Sequence, residues 1–187
     1  VYQLTENGVI RLSDNAYIPA DLGNRDYTDF IAWKAAGNEP LPIPMPSAEE
    51  TRRGFLSANN AAYNAATMTL TADYPQLEKD TWPTQNEEAS AWVIDPVGAA
   101  TPWIDRAASE RGVEREEYIR RTLIKARQFK AMSAFLTGRR QRYEDQIKAG
   151  GDPVLEYTLT PEVLAELQQI TDIIMSTPAA SLQEALA

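Results

Sequence analysis

Between Pro40 and Pro46 every second residue is proline, with Leu41, Ile43 and Met45 in the alternate positions. Proline fixes φ and has no amide hydrogen, so neither a helix nor a central strand can run through this stretch, and an extended polyproline-like spacer remains. Hydrophobic patterning changes across it, from period two upstream to helical spacing downstream. The chain therefore divides into a small module over residues 1–39, a proline-rich spacer over 40–47, a helical body over 48–150 and a hinged amphipathic segment over 151–187.

In the first module, YQLTE and VIRL flank Asn7-Gly8, a pair that tolerates the positive φ angles of a type I′ hairpin turn. Ser13-Asp14-Asn15 predicts a second turn, and Ala16-Tyr17-Ile18 a third short strand ended by Pro19. A helix is expected after Asn24, whose side chain can accept from a first-turn amide, with Asp26 near its positive end. Tyr27, Phe30, Ile31 and Lys34, with Trp33 beside them, share one face, and Gly37-Asn38 supplies the stop. So small a sheet cannot bury its apolar side alone and needs this helix or a partner.

The body opens with a capping box, Ser47 to Glu50, and a helix expected to reach about Asp73 with Leu56, Tyr63 and Leu70 at seven-residue spacing. Trp82-Pro83 predicts a corner, and Thr84 to Glu87 a second capping box leading into a helix that ends near Asp95. Thr101-Pro102 starts another helix, which Gly112 stops. The longest helical stretch runs from Glu114 to Ala149; Thr122, Phe129, Leu136 and Tyr143 recur every seven residues, which predicts Phe129 and Leu136 in the core. It should pair antiparallel with the Ser47 helix, and Gly138 marks a kink or a close approach. After the break at Gly150–Pro153, Val154–Leu159 predicts a strand and Pro161 begins a helix with Leu164, Leu167, Ile170 and Ile174 on one face. The fold class is α+β, mainly α: a small N-terminal antiparallel β-meander plus helix, the spacer, then a helical-hairpin body with long antiparallel helices. The last segment can fold back or embrace a neighbouring subunit.

The 187 residues include no cysteine and no histidine, which removes thiolate chemistry, the commonest metal ligands and the commonest general base. The acidic pairs Glu49-Glu50, Glu87-Glu88 and Glu116-Glu117 fall in or next to first turns of expected helices, where they complement the helix dipole. No catalytic, cofactor-binding or metal-binding set is expected. A net charge of −9 opposes docking on nucleic acid, and the local run Arg139, Arg140 and Arg142, with Arg127 and Lys130 upstream, is followed at once by Glu144 and Asp145. No apolar run is long enough for membrane insertion, and the start of the chain lacks a basic-then-apolar leader, so the expectation is a soluble protein without a signal peptide.

VIRLSDNAYIP followed by NRDYTDFIAWKAAGNEP resembles the N-terminal module of tail proteins from tailed bacteriophages and related prophages. The later blocks YPQLEKDTWPTQNEEASAW, ATPWIDRAASERGV and AFLTGRRQRYEDQI resemble the helical domain of phage tail fibre assembly proteins and fibre-associated tail proteins. That resemblance implies a protein without catalysis or cofactor, working in the virion tail or in the host cytoplasm during assembly. Its partners would be a tail fibre or baseplate protein, or other copies of itself. Candidate partner contacts are Tyr27, Phe30 and Trp33 in the first module and Leu167, Ile170 and Ile174 in the last segment, because each set lies on an element too small to bury its own apolar face. Two other readings are a cell-surface glycan-acting enzyme using paired carboxylates and a nucleic-acid-contacting phage factor using the Arg139–Arg142 run. Limited proteolysis should cut in or near residues 40–47 and release a helical fragment beginning close to Ser47; mass spectrometry of the first fragments checks this, and early cutting within residues 114–149 would contradict one long helix.

Overall fold

A computed structural model describes residues 1–186, which hold three strands and seven helices. Two compact units form, the first being Val1–Thr51 and the second beginning at Arg52.

In the first unit β1 (Tyr2–Thr5), β2 (Gly8–Arg11) and β3 (Ala16–Pro19) make an antiparallel sheet in that order, with Leu4 opposite Val9 and Val9 opposite Ile18. Period-two alternation puts Tyr2, Val9 and Ile18 on one face, where they bury Phe30 of α1 (Arg25–Ala35). The Tyr2 ring lies 5.1 Å from both the Phe30 and the Trp33 rings. Asn24 caps α1 as expected, accepting from the Asp26 and Tyr27 amides. Arg11 pairs with both Asp14 at 2.8 Å and Asp26 at 2.9 Å, tying the second turn to α1, and its guanidinium holds the Asp14 carboxyl below the usual carboxylate range.

Two local expectations are corrected here. The first hairpin loop is Glu6-Asn7, between the paired Thr5 and Gly8, and Asn15 in the second turn is the one non-glycine with positive φ among the described residues, so the first turn is not type I′. Gly8 is needed for another reason: a Cβ there would strike the Ile18 carbonyl of the adjacent strand. The proline stretch is also more than a spacer. Leu41 donates its amide to the Tyr2 carbonyl (2.8 Å) and accepts from the Leu4 amide (2.9 Å), which satisfies part of the open edge of β1. Beyond that bridge the stretch is exposed, with Met45 at 91%.

The Ser47 capping box forms as read, Ser47 and Glu50 each bonding the other's amide, and opens α2 (Ala48–Thr69). In the second unit α3 (Gln76–Ile94), α4 (Pro102–Arg111), α5 (Arg115–Lys148), α6 (Pro161–Ser176) and α7 (Ala179–Ala185) follow. The core gathers Ala89 and Trp92 of α3, Ile104 of α4, Ile119 and Leu123 of α5, Ile174 of α6 and Leu182 of α7. α2 runs antiparallel to the distal half of α5: Asn59 donates to the Arg140 carbonyl at 3.0 Å, and Tyr63 meets Thr137 at 3.1 Å.

Several helix boundaries differ from the sequence reading. α3 begins at Gln76 and passes through Pro83, so Trp82-Pro83 is not a corner and no capping box forms at Thr84. Proline removes one helical bond, while Trp82, set edge-on between Tyr74 and Phe129, anchors the same turn. Glu88 is therefore mid-helix rather than in a first turn, and its carboxylate accepts from the Trp103 and Ile104 amides at 3.0 and 2.9 Å, capping α4 from across the interface. Residues 154–159 form no strand. They are extended, but the Glu156 carbonyl accepts from Arg139 and Tyr143, and the Tyr157 hydroxyl donates to the buried Asn59, so side chains do the work of a neighbouring strand. Gly138 is not a close approach, since a Cβ there would meet nothing within 4 Å.

Near the end of α5, Lys148 and then Arg140 hold the Glu144 carboxyl below the usual glutamate range. With the folded pKa the lower one, that stabilisation is present above the unfolded value and is lost as pH falls through the folded one.

The seven-residue stripe of α5 holds in part. Leu136 is 1% exposed and Thr122 and Tyr143 are buried, but Phe129 is 39% exposed and is not a core residue. The stripe stays the same while its cover changes: the extended segment closes over Leu136, whereas Phe129 meets the Trp82 ring of α3 edge-on and is otherwise left open. Leu123→Ala should accordingly cost about 2–5 kcal/mol, as buried leucines do, and Phe129→Ala only about 1 kcal/mol, the worth of an exposed ring-on-ring contact. Urea unfolding midpoints of the two variants check the order.

Candidate functional site

The exposed Phe129 opens onto a groove of about 890 Å³ in the second unit, between α3 and α5. α3 lines it at four-residue intervals with Glu78, Trp82, Asn86, Ser90 and Ile94, one complete face of a helix. Across from them α5 contributes Thr122, Lys125, Ala126, Phe129 and Lys130, with Leu123 in the floor. Gln183 and Leu186, around the end of α7, close one extremity, and Leu70 and Tyr74, beyond α2, lie at the other.

Three rings build the aromatic end. Trp82 stands edge-on to Tyr74, with centroids 5.2 Å apart, and to Phe129 at 5.8 Å. Lys125 places its ammonium 4.9 Å from the Tyr74 ring centre. Lys79, Arg127 and Lys130 add three more cations, against the single carboxylate of Glu78 among the described lining residues. Among the described residues none of these four cations is ion-paired, whereas Arg106, Arg115, Arg120, Arg121 and Arg140 each hold a carboxylate. The Thr122 hydroxyl is spent on the Tyr118 carbonyl. Such a surface can hold an apolar group that carries negative charge, through ring edges and faces at its centre and ammonium groups at its rim.

A second recess of about 520 Å³ lies over Leu136, lined by Ala62, Ala66, Tyr157 and Leu159, and has no charged residue in its walls.

The residues expected to meet a partner lie elsewhere, and two of them need correcting. Phe30 is 4% exposed and forms the centre of the first unit's core, with Tyr27 and Trp33 packed against it, because α1 turns its aromatic face onto its own sheet. Ile174 is 0% exposed, with Ile170 packed beside it, because α6 folds back on α5. Leu167 is half-buried, and its carbonyl accepts from Gln128 at 3.0 Å. The arginine run is largely engaged within the chain: Arg139 donates to the Glu156 carbonyl and lies over Phe135, Arg140 pairs with Glu144, and Arg142 lies over Tyr143. Sequence reasoning missed the groove because Phe129 falls on the core stripe and Trp82 sits beside a proline. The available signal was Lys125, Arg127 and Lys130 interleaved with Phe129.

Among the described residues no group of three or more acidic side chains is placed to hold a metal ion, and no helix is long and apolar enough to cross a membrane. A family model described as the HI1402 helical domain matches residues 124–156, the greater part of α5 and the beginning of the extended segment, including the α5 wall of the groove from Lys125 onward. The chain matches no curated protein and no solved structure.

The fluorescent anion anilinonaphthalene sulfonate combines an aromatic body with one negative charge and should bind the native protein at this groove. Phe129→Asp should abolish the emission increase while leaving the circular dichroism spectrum unchanged; emission that persists in the variant would place the dye elsewhere.

Proposed function

We propose that this chain is a non-catalytic tail protein of a tailed bacteriophage or prophage, binding the tail fibre or its attachment point as a structural adaptor or assembly factor. The observation that carries the association reading is the uncovered groove, where Phe129 is left 39% exposed beside four cations that hold no carboxylate among the described residues. An exposed aromatic with its own ring neighbours and no covering element is a surface suited to a partner. The phage setting rests on the resemblance of the N-terminal module and of the helical blocks. The virion tail, or the host cytoplasm during assembly, is the corresponding location, with no cofactor required.

The glycan-hydrolysing reading is the weaker one because at least one acid of each pair is occupied. Glu50 is bonded to Ser47, Glu88 to the α4 amides, Glu116 to Arg120 and Glu117 to Arg121. Glycoside hydrolysis asks for two carboxylates facing one cleft, and among the described residues the groove lining offers Glu78 alone. Nucleic-acid contact through Arg139–Arg142 is likewise disfavoured by the internal partners of those arginines.

Co-expression with the tail fibre and baseplate proteins encoded beside this chain tests the proposal. A complex should survive gel filtration, and Trp82→Ala with Phe129→Asp should weaken it at least tenfold without unfolding the chain. A chain that remains alone with every tail protein offered overturns the reading.

A further inference from the structure

The groove has a charge out of keeping with the molecule. The chain carries −9 overall, yet Lys79, Lys125, Arg127 and Lys130 meet at one cleft where, among the described residues, Glu78 alone has the opposite sign. Elsewhere in the same unit, helical arginines are matched by glutamates one turn away, as in Arg106–Glu110, Arg121–Glu117 and Arg140–Glu144. Cations gathered beside low-dielectric aromatic walls focus a positive potential, and a partner's carboxylates would complete it.

Shape narrows the partner further. From Glu78 to Ile94 the α3 wall rises about 24 Å, room for roughly four turns of helix. The seam between α3 and α5 already seats one helix: α7 inserts Leu182, fully buried, against Ala89, Trp92 and Leu123, and Leu186 beyond its end lines the start of the groove. The groove is thus a continuation of a surface that packs helices.

We propose that the α3–α5 groove is a docking site for an acidic amphipathic helix of a partner protein, whose apolar row would meet Trp82 and Phe129 and whose carboxylates would meet Lys79, Lys125, Arg127 and Lys130. The proposal rests on the association reading above and specifies the chemistry of the contact. A second copy of this chain is a poorer occupant, because the apolar faces of α1 and α6 are already spent at Phe30 and Ile174. Single-stranded nucleic acid would satisfy the cations and rings but not the aliphatic floor at Leu123 and Ala126.

The test uses the full chain and two fluorescein-labelled designed peptides of about fifteen residues, long enough to fill the roughly four turns available. Both carry leucines along one helical face, and the other faces are glutamate in one peptide and lysine in the other. Fluorescence anisotropy should show the glutamate peptide binding about tenfold or more tightly than the lysine peptide, with the preference shrinking as salt is raised. Lys125→Glu combined with Lys130→Glu should reverse the preference, and Phe129→Asp should abolish binding of both, each variant keeping its helical circular dichroism. Equal binding of the two peptides, or stronger binding of a thymidine oligonucleotide than of either, overturns the proposal. So does a sedimenting dimer of the chain that Phe129→Asp dissociates. The two readings fail separately: copurification with a tail protein without peptide preference removes the groove assignment alone, and glutamate-peptide preference in a chain that ignores tail proteins removes the phage setting alone.

Discussion

The second unit depends on a guanidinium that the core has taken in. Arg120, on the inner side of α5, is 9% exposed and lies over the Trp92 ring, 5.7 Å from its centre. A buried charge without partners is costly enough to forbid the arrangement, and here the partners come from its own helix and from the end of α6. Glu116 comes from the preceding turn of α5, and the Ile174 and Thr177 carbonyls come from the end of α6. α6 has no basic residue of its own in its last turn, so Arg120 supplies the positive charge that its carbonyl end favours. The amphipathic C-terminal segment is thereby fixed in place. Once α6 is held there, Ile174 fills the space between α3 and α5, and α7 follows with Leu182.

The same logic, polar groups satisfied at a distance, recurs through the unit. The Glu88 carboxylate completes the first turn of α4 from α3, and Arg115 gathers Thr101, Asp105 and the Ala99 carbonyl at the opposite side of that turn. Asn59 is 1% exposed and would be unaffordable unbonded; it is met by the Arg140 carbonyl and the Tyr157 hydroxyl, so α2, α5 and the extended segment share one polar knot. With no cysteine in the chain, these cross-element bonds and the apolar cluster carry the whole tertiary arrangement. Each is long-range in sequence, so none could be read from a local window.

α5 serves two purposes along one stripe. At Ile119, Leu123 and Leu136 it is a core helix, while at Lys125, Phe129 and Lys130 it is a groove wall. The difference is coverage: α6 and α7 reach its first half, α2 and the extended segment reach its second, and the interval on the α3 side between them is left open. Pro83 contributes by keeping its place within α3 instead of ending it. The helix it interrupts chemically still presents Trp82 to Phe129.

The sequence by itself determined what local chemistry controls. The meander and its helix, the caps at Asn24 and Ser47, the proline start at Pro102, the left-handed stop at Gly112 and the extent of the long helix all followed from side chains acting on backbone within a few residues. The mainly helical α+β class followed from the change in hydrophobic period. Only the tertiary structure decided which apolar faces are spent internally. Period tells that Phe30, Phe129 and Ile174 lie on apolar faces, but whether another element arrives to cover each face depends on contacts tens of residues away. For that reason the expected partner residues turned out to be core at Phe30 and Ile174, and an expected core residue, Phe129, turned out to line the groove. Proline within α3 and the pairing of Leu41 with β1 belong to the same class, since local propensity disfavours both and distant packing or an open sheet edge supplies what makes them stable.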